Sequence, residues 1–271
     1  MPDERRVRQR QLRFLMFFRT KGPALFVIAR WGVTLRCVSS YSTRMTDNRR
    51  AAWALVLGSV GGMVTMAIHP VSMAQLTPPQ IQHLATISGI AHGLALASVL
   101  LLFLGTCGLT RALTGPDRLA FSALVTYGFA AVAIMIAASV SGWIVPDIMR
   151  LMARDVATNS GSQADWRIAI AAIFQINQAM ARIYSVGAAV AITLWSARCL
   201  RSGQLSRGMA TYGCVTAPLI AVLIFIGHLG LDVHGMAVVM LSEVVWFVGM
   251  GIALWRTDAR AARTGSQPTA S

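Results

Sequence analysis

Two ionisable residues interrupt long apolar runs, Arg182 in one and Glu243 in another. A charge inside hydrocarbon is costly, so such residues face the interior of a helix bundle, pair with one another or line a wet cavity. Counted from the arginine-marked ends of their runs near Ala197 and Arg256, they lie about 15 and 13 residues deep, roughly 20 Å from the same face. The matched depths predict an ion pair between the two segments. Such a pair would either hold the bundle together or form an intramembrane functional site. The other arrangement open to Glu243 is a protonated carboxyl bonded to Ser242 or to a backbone carbonyl.

The segment that carries Arg182 adds a polar stripe. Gln175, Gln178, Arg182 and Ser185 follow i, i+3, i+7, i+10, the spacing of one helical face, with Asn177 and Tyr184 beside them. Amides set against lipid would leave polar groups unsatisfied, at several kcal/mol each. The stripe is therefore expected to face inward. It would line a cavity for a small solute, a proton or water, or else make interhelical hydrogen bonds worth about 0.6 kcal/mol each.

Histidine supplies the second chemistry. All five, His69, His83, His92, His228 and His234, map to the same end of the apolar runs, and Asp232 lies between the last two. Imidazoles from different helices can hold a haem or a divalent metal, so His69, His92, His228 and His234 are the candidate ligands. No H-x-x-x-H, H-E-x-x-H or C-x-x-C-H spacing supports them. Imidazoles that sit at a membrane interface without any ligand would show the same placement.

The elements that position these residues follow from composition. Charged residues make up 13% of the 271, apolar residues 55%, and the mean hydropathy is +0.60. Soluble domains carry about 25% charged residues. A water-soluble enzyme is excluded on that ground, and the fold class expected is an all-α polytopic membrane bundle. After Met45 six runs reach the roughly 20 residues needed to cross hydrocarbon. They are about 52–74, 86–109, 119–144, 168–197, 208–229 and 234–255. In lipid every backbone polar group must be paired within its own segment, so each run is read as a helix. Thr77-Pro78-Pro79, Thr114-Gly115-Pro116-Asp117 and Arg201-Ser202-Gly203 supply the turns, and one longer polar loop is expected at 145–167. Pro218 removes a hydrogen bond within the fifth run. Gly58 with Gly62, and Gly89 with Gly93, are small-xxx-small pairs for close helix packing. Trp53, Trp143, Trp166, Trp195, Trp246 and Trp255 read as interfacial anchors.

Charge orients the bundle. Of the arginines after Met45, Arg49, Arg50, Arg111, Arg118, Arg198, Arg201, Arg207, Arg256, Arg260 and Arg263 fall on the face shared by both termini, against Arg150, Arg154 and Arg167 opposite. By the positive-inside rule both termini are expected in the cytoplasm, and the membrane is read as an inner, plasma-type membrane. Cys107, Cys199 and Cys214 lie toward the same reducing side. Residues 1–44 carry ten basic and two acidic side chains, and their short apolar stretch is broken by Arg30. That arm does not span; it reads either as a basic, disordered or amphipathic arm on anionic lipid or as a start-site artefact, and the pattern at Met45 favours translation starting there. The spanning domain is then 45–256, followed by a tail at 257–271.

Function stays open among three classes. The first is a pathway for a small solute or ion through the polar stripe. The second is a non-catalytic membrane subunit or sensor. The third is a haem or metal protein built on the histidines. No nucleotide-binding glycine loop and no nucleophile arrangement is present, so an enzyme is not expected. The partners expected are the lipid bilayer and a membrane-protein partner or a second copy. The excess of 24 Lys plus Arg over 10 Asp plus Glu is a topological signal, not a nucleic-acid footprint.

Overall fold

The structure is a computed structural model that describes residues 41–69, 78–113, 118–158 and 163–264; the basic arm before residue 41 and the tail after 264 lie outside them. All described elements are helical. They are α1 (Tyr41–Ile68), α2 (Pro78–Ala112), α3 (Leu119–Ser139), a π turn at Val140–Ile144, α4 (Val145–Thr158), α5 (Gln163–Ser202), α6 (Arg207–Phe225) and α7 (Val233–Thr264). Six stretches are long and apolar enough to cross a membrane: Asp47–Ile68, Pro79–Ala112, Leu119–Met152, Ile168–Ser202, Arg207–Phe225 and Val233–Ala259. The chain has the make-up of a multi-pass membrane protein.

Several boundaries depart from the sequence reading; the second span, for example, begins at Pro79 and not at 86. The polar loop expected at 145–167 is largely helix, because α3 runs through the π turn into α4. The wider π turn precedes Pro146 and gives room to a ring that would clash with the carbonyl four residues back in a regular helix. The described part of the first span reaches Ile68, and residues 70–74 of the expected run lie outside the described residues. The fifth closes at Phe225, not 229, because Gly227 turns into the left-handed region at φ 75°.

Small residues let the helices approach. Alanines of α3 such as Ala130 and Ala131 pack on Ala188, Ala189 and Ala191 of α5, and Gly187 faces Ala130. Between α1 and α2, Gly58 meets the Leu102 backbone, Gly105 meets Leu55, and Gly108 meets Ala51. Of the glycine pairs expected from sequence, Gly58 belongs to this seam. Gly62 instead faces Met240 of α7, and Gly93 has open space around it. Helix register decides this: Gly93 is one position from buried His92, so about 100° around the helix from it.

One end of the bundle is fastened by polar and aromatic contacts. Asn48 Nδ2 donates to Asp258 Oδ1 at 2.9 Å, and the Trp53 and Trp255 rings meet at 5.1 Å. Arg198, though almost buried, donates from Nε to the Leu113 carbonyl at 3.0 Å, placing a cation at the carboxyl end of α2. Above this lies a cluster of Tyr127, Trp195, Trp246 and Phe247, all fully buried. Trp195 and Trp246 are thus core residues and not interfacial anchors. Each satisfies its indole N–H internally, Trp195 on Thr110 Oγ1 at 3.0 Å and Trp246 on Ser196 Oγ at 2.9 Å.

Candidate functional site

The candidate site lies toward the other end of the bundle. A cavity of about 270 Å³ opens between α1, α2, α3, α5 and α7, with His69 and His92 on one wall, Asn177 and Gln178 opposite, and Tyr184 on its lining. Most of its surface is apolar, with a few convergent polar groups, the make-up of a small-ligand site.

Local structure fixes each polar group in turn. His92 lies one helical turn after Ser88 on α2, and its Nδ1 is 2.7 Å from the Ser88 carbonyl. A carbonyl only accepts, so Nδ1 carries a proton, and the neutral form of the ring has Nε2 as its acceptor. The Ser88 hydroxyl donates to the Ser141 carbonyl at 3.0 Å, a carbonyl within the π turn. A methyl group on Gly142 would run into the His92 Cβ, so the turn needs glycine where the imidazole passes. The His69 ring meets His92 edge-on, with centroids 5.2 Å apart.

From α5, Gln178 donates to the Leu231 carbonyl at 3.1 Å, tying that helix to the turn before α7. The Asn177 Oδ1 beside it is buried without a hydrogen-bond partner. Asp232 also lines the cavity, but one carboxylate oxygen is used as the amino-terminal cap of α7, accepting from Gly235 N at 2.8 Å.

Deeper in, the Tyr184 hydroxyl donates to Glu243 Oε2 at 2.5 Å. Glu243 is 5% exposed, and a void of about 10 Å³ lies against it, bounded by Ser185, Thr216, Ser242 and Trp246 among others. That volume is near the lower limit for one water. Tyr184 therefore stands between the histidine-lined cavity and the carboxyl group. Beyond Glu243 the stacked Trp195 and Trp246 rings, 5.9 Å apart, close the bundle.

The ion pair expected between Arg182 and Glu243 does not form. Arg182 is exposed and makes no ion pair or hydrogen bond among the described residues, while Glu243 is held by Tyr184. The buried face of α5 is centred on Ala181, Tyr184, Ser185 and Ala188, and one step of about 100° from Ala181 carries Arg182 out of it. The polar stripe splits for the same reason. Gln178 and Ser185 turn inward, with the Ser185 hydroxyl donating to the Ala181 carbonyl at 2.9 Å, whereas Gln175 is exposed. Of the candidate ligands only His69 and His92 come together; His228 and His234 lie exposed at the turn between α6 and α7. Among the described residues no group of three histidine, cysteine or acidic side chains gathers at one point.

Tyr184 and the Ser88–Ser141 link are features of this site that sequence reasoning did not single out. Tyr184 was visible as a flank of the polar stripe; the link carries no signal of spacing. No family model, curated protein or solved structure matches the chain.

Proposed function

We propose that the protein is an inner-membrane pathway for a small solute or ion, seen in a form accessible from one side. The observation that carries this reading is the cavity that runs inward from His69 and ends at the Tyr184–Glu243 hydrogen bond. The arginine distribution supports placing the fastened end, with Arg198, Arg201, Arg207 and Arg256, in the cytoplasm, so the cavity faces the opposite side. Arg182 then lies about 24 Å from Arg198 along α5, close to the outer boundary of a core about 30 Å thick, where a long arginine can snorkel to the headgroups.

The lining names the solute by its chemistry. No arginine or lysine is among the described lining residues, which disfavours an anion. Glu243 can take and release a proton, and the Tyr184 hydroxyl touches both it and the cavity, which suits coupling of passage to proton movement.

A second reading, a ligand sensor without transport, is favoured by the aromatic seal, since both indoles are hydrogen-bonded and the cavity is blind. The two part in one experiment. In a chain whose native cysteines are replaced by alanine, Ala95→Cys should react with a membrane-impermeant maleimide from the outer face, and more slowly from the cytoplasmic face as the bundle changes state. Reaction from the outer face alone leaves the sensor. Failure from either face, while an exposed control such as His228→Cys reacts, overturns the cavity reading.

A further inference from the structure

We infer that the cavity binds a soft monovalent metal ion, Cu(I), through methionine thioethers and imidazole nitrogens; this rests on the solute-accessible cavity proposed above. Five potential donors of that kind line it: Met66 and His69 of α1, His92 of α2, and Met236 and Met240 of α7. Met66 and His69 are three residues apart and Met236 and Met240 four apart, so each pair occupies one helix face. The two faces oppose one another, because the Met240 methyl group reaches α1 at Gly62, one turn before Met66.

The sulfur atoms are located by their neighbours. Met240 Sδ lies 3.8 Å from the Tyr184 hydroxyl, and Met236 Sδ lies 4.0 Å from the Ser185 hydroxyl. Both thioethers therefore sit at the inner part of the cavity, above Glu243. Nearer the mouth, the bond from His92 Nδ1 to the Ser88 carbonyl leaves Nε2 as the ring's available donor atom for a metal, and the His69 ring lies with its centroid 5.2 Å from that of His92. A second-sphere carbonyl that fixes the tautomer of an imidazole is the usual support of a metal-ligating histidine.

Thioether sulfur is soft and neutral, which selects Cu(I) over the hard divalent ions. Calcium and magnesium need shells of oxygen donors, and among the described residues the one carboxylate on the lining, Asp232, is partly used as a helix cap. Zinc favours histidine, cysteine and carboxylate together, and no such group of three is present among the described residues. Methionine is also an ordinary filler of irregular gaps, so the sulfur itself has to be tested apart from its volume.

Leucine matches methionine in size and lacks sulfur. The full-length protein in detergent, kept reduced with ascorbate, would be titrated with Cu(I) against the chromogenic chelator bicinchoninate. The protein should withdraw about one ion per chain, and the double variant Met236→Leu with Met240→Leu should bind at least about tenfold more weakly while remaining monodisperse. His92→Ala should weaken binding similarly, and His228→Ala, at the exposed turn, should leave it unchanged. Copper left with the chelator, or equal binding by the double leucine variant, overturns the inference. If Ala95→Cys is still labelled in that case, the cavity reading stands and only the metal is lost; if the labelling fails too, both fall.

Discussion

Tyr184 on α5 and Glu243 on α7, 59 residues apart in sequence, are joined by a hydrogen bond of 2.5 Å in the buried centre of the bundle. Removing one partner of a buried pair leaves the other desolvated and unmade, which costs more than the bond itself contributes. Tyr184→Phe should therefore destabilise the protein by about 1–3 kcal/mol, whereas Glu243→Gln, which keeps an acceptor oxygen for the tyrosine, should cost less than half as much. Unfolding of the detergent-solubilised protein in increasing SDS measures both. Equal losses would mean that the bond does not govern this region.

Arginines separate exposed from buried roles. Arg182→Gln should change stability by no more than about 0.5 kcal/mol, as for surface substitutions in general. Arg198→Gln removes a donor from the Leu113 carbonyl at the end of α2 and should cost about 1–3 kcal/mol in the same SDS titration. A large loss at Arg182 would restore the ion pair that its depth suggests.

Glycines test the α1–α2 seam. At Gly58 an added methyl would press into the Leu102 backbone, so Gly58→Ala should cost about 1–3 kcal/mol. Gly93→Ala, with open space around it, should be neutral or stabilising by a few tenths up to about 1 kcal/mol. Comparing the two melting curves decides whether the seam is as close as described.

At the π turn, Gly142→Ala should displace His92, because the new methyl occupies the space of its Cβ. The measurable outcome is altered accessibility: a cysteine at Ala95 should label at a changed rate in that background, while a cysteine at exposed His228 should not. Unchanged labelling at Ala95 would show that the turn does not position the cavity wall.

Much of the architecture was legible because lipid leaves the backbone few choices. Apolar runs of sufficient length must be helices, so six spans follow from hydropathy alone. The continuation of α3 into α4 was hidden, since Pro146 and Asp147 carry the signals of a turn and only the π turn reconciles them with a helix. Depth along a helix was readable for Arg182 and Glu243, but azimuth was not. One residue is about 100° of rotation, so a polar residue next to the buried face and one upon it look alike in sequence. Tyr184 shows the converse: its role depends on a partner on another helix, and nothing local announces the contact.

The fastenings of this molecule are unevenly distributed. Asn48 with Asp258, Trp53 with Trp255, Arg198 with Leu113 and the Gly58, Gly105 and Gly108 contacts all brace the half that lies beneath Tyr184. Helices clamped more firmly at one end behave as cantilevers, so thermal motion should grow toward the mouth of the cavity. Ligand entry would then need only a slight splaying there, with no rearrangement of the braced half.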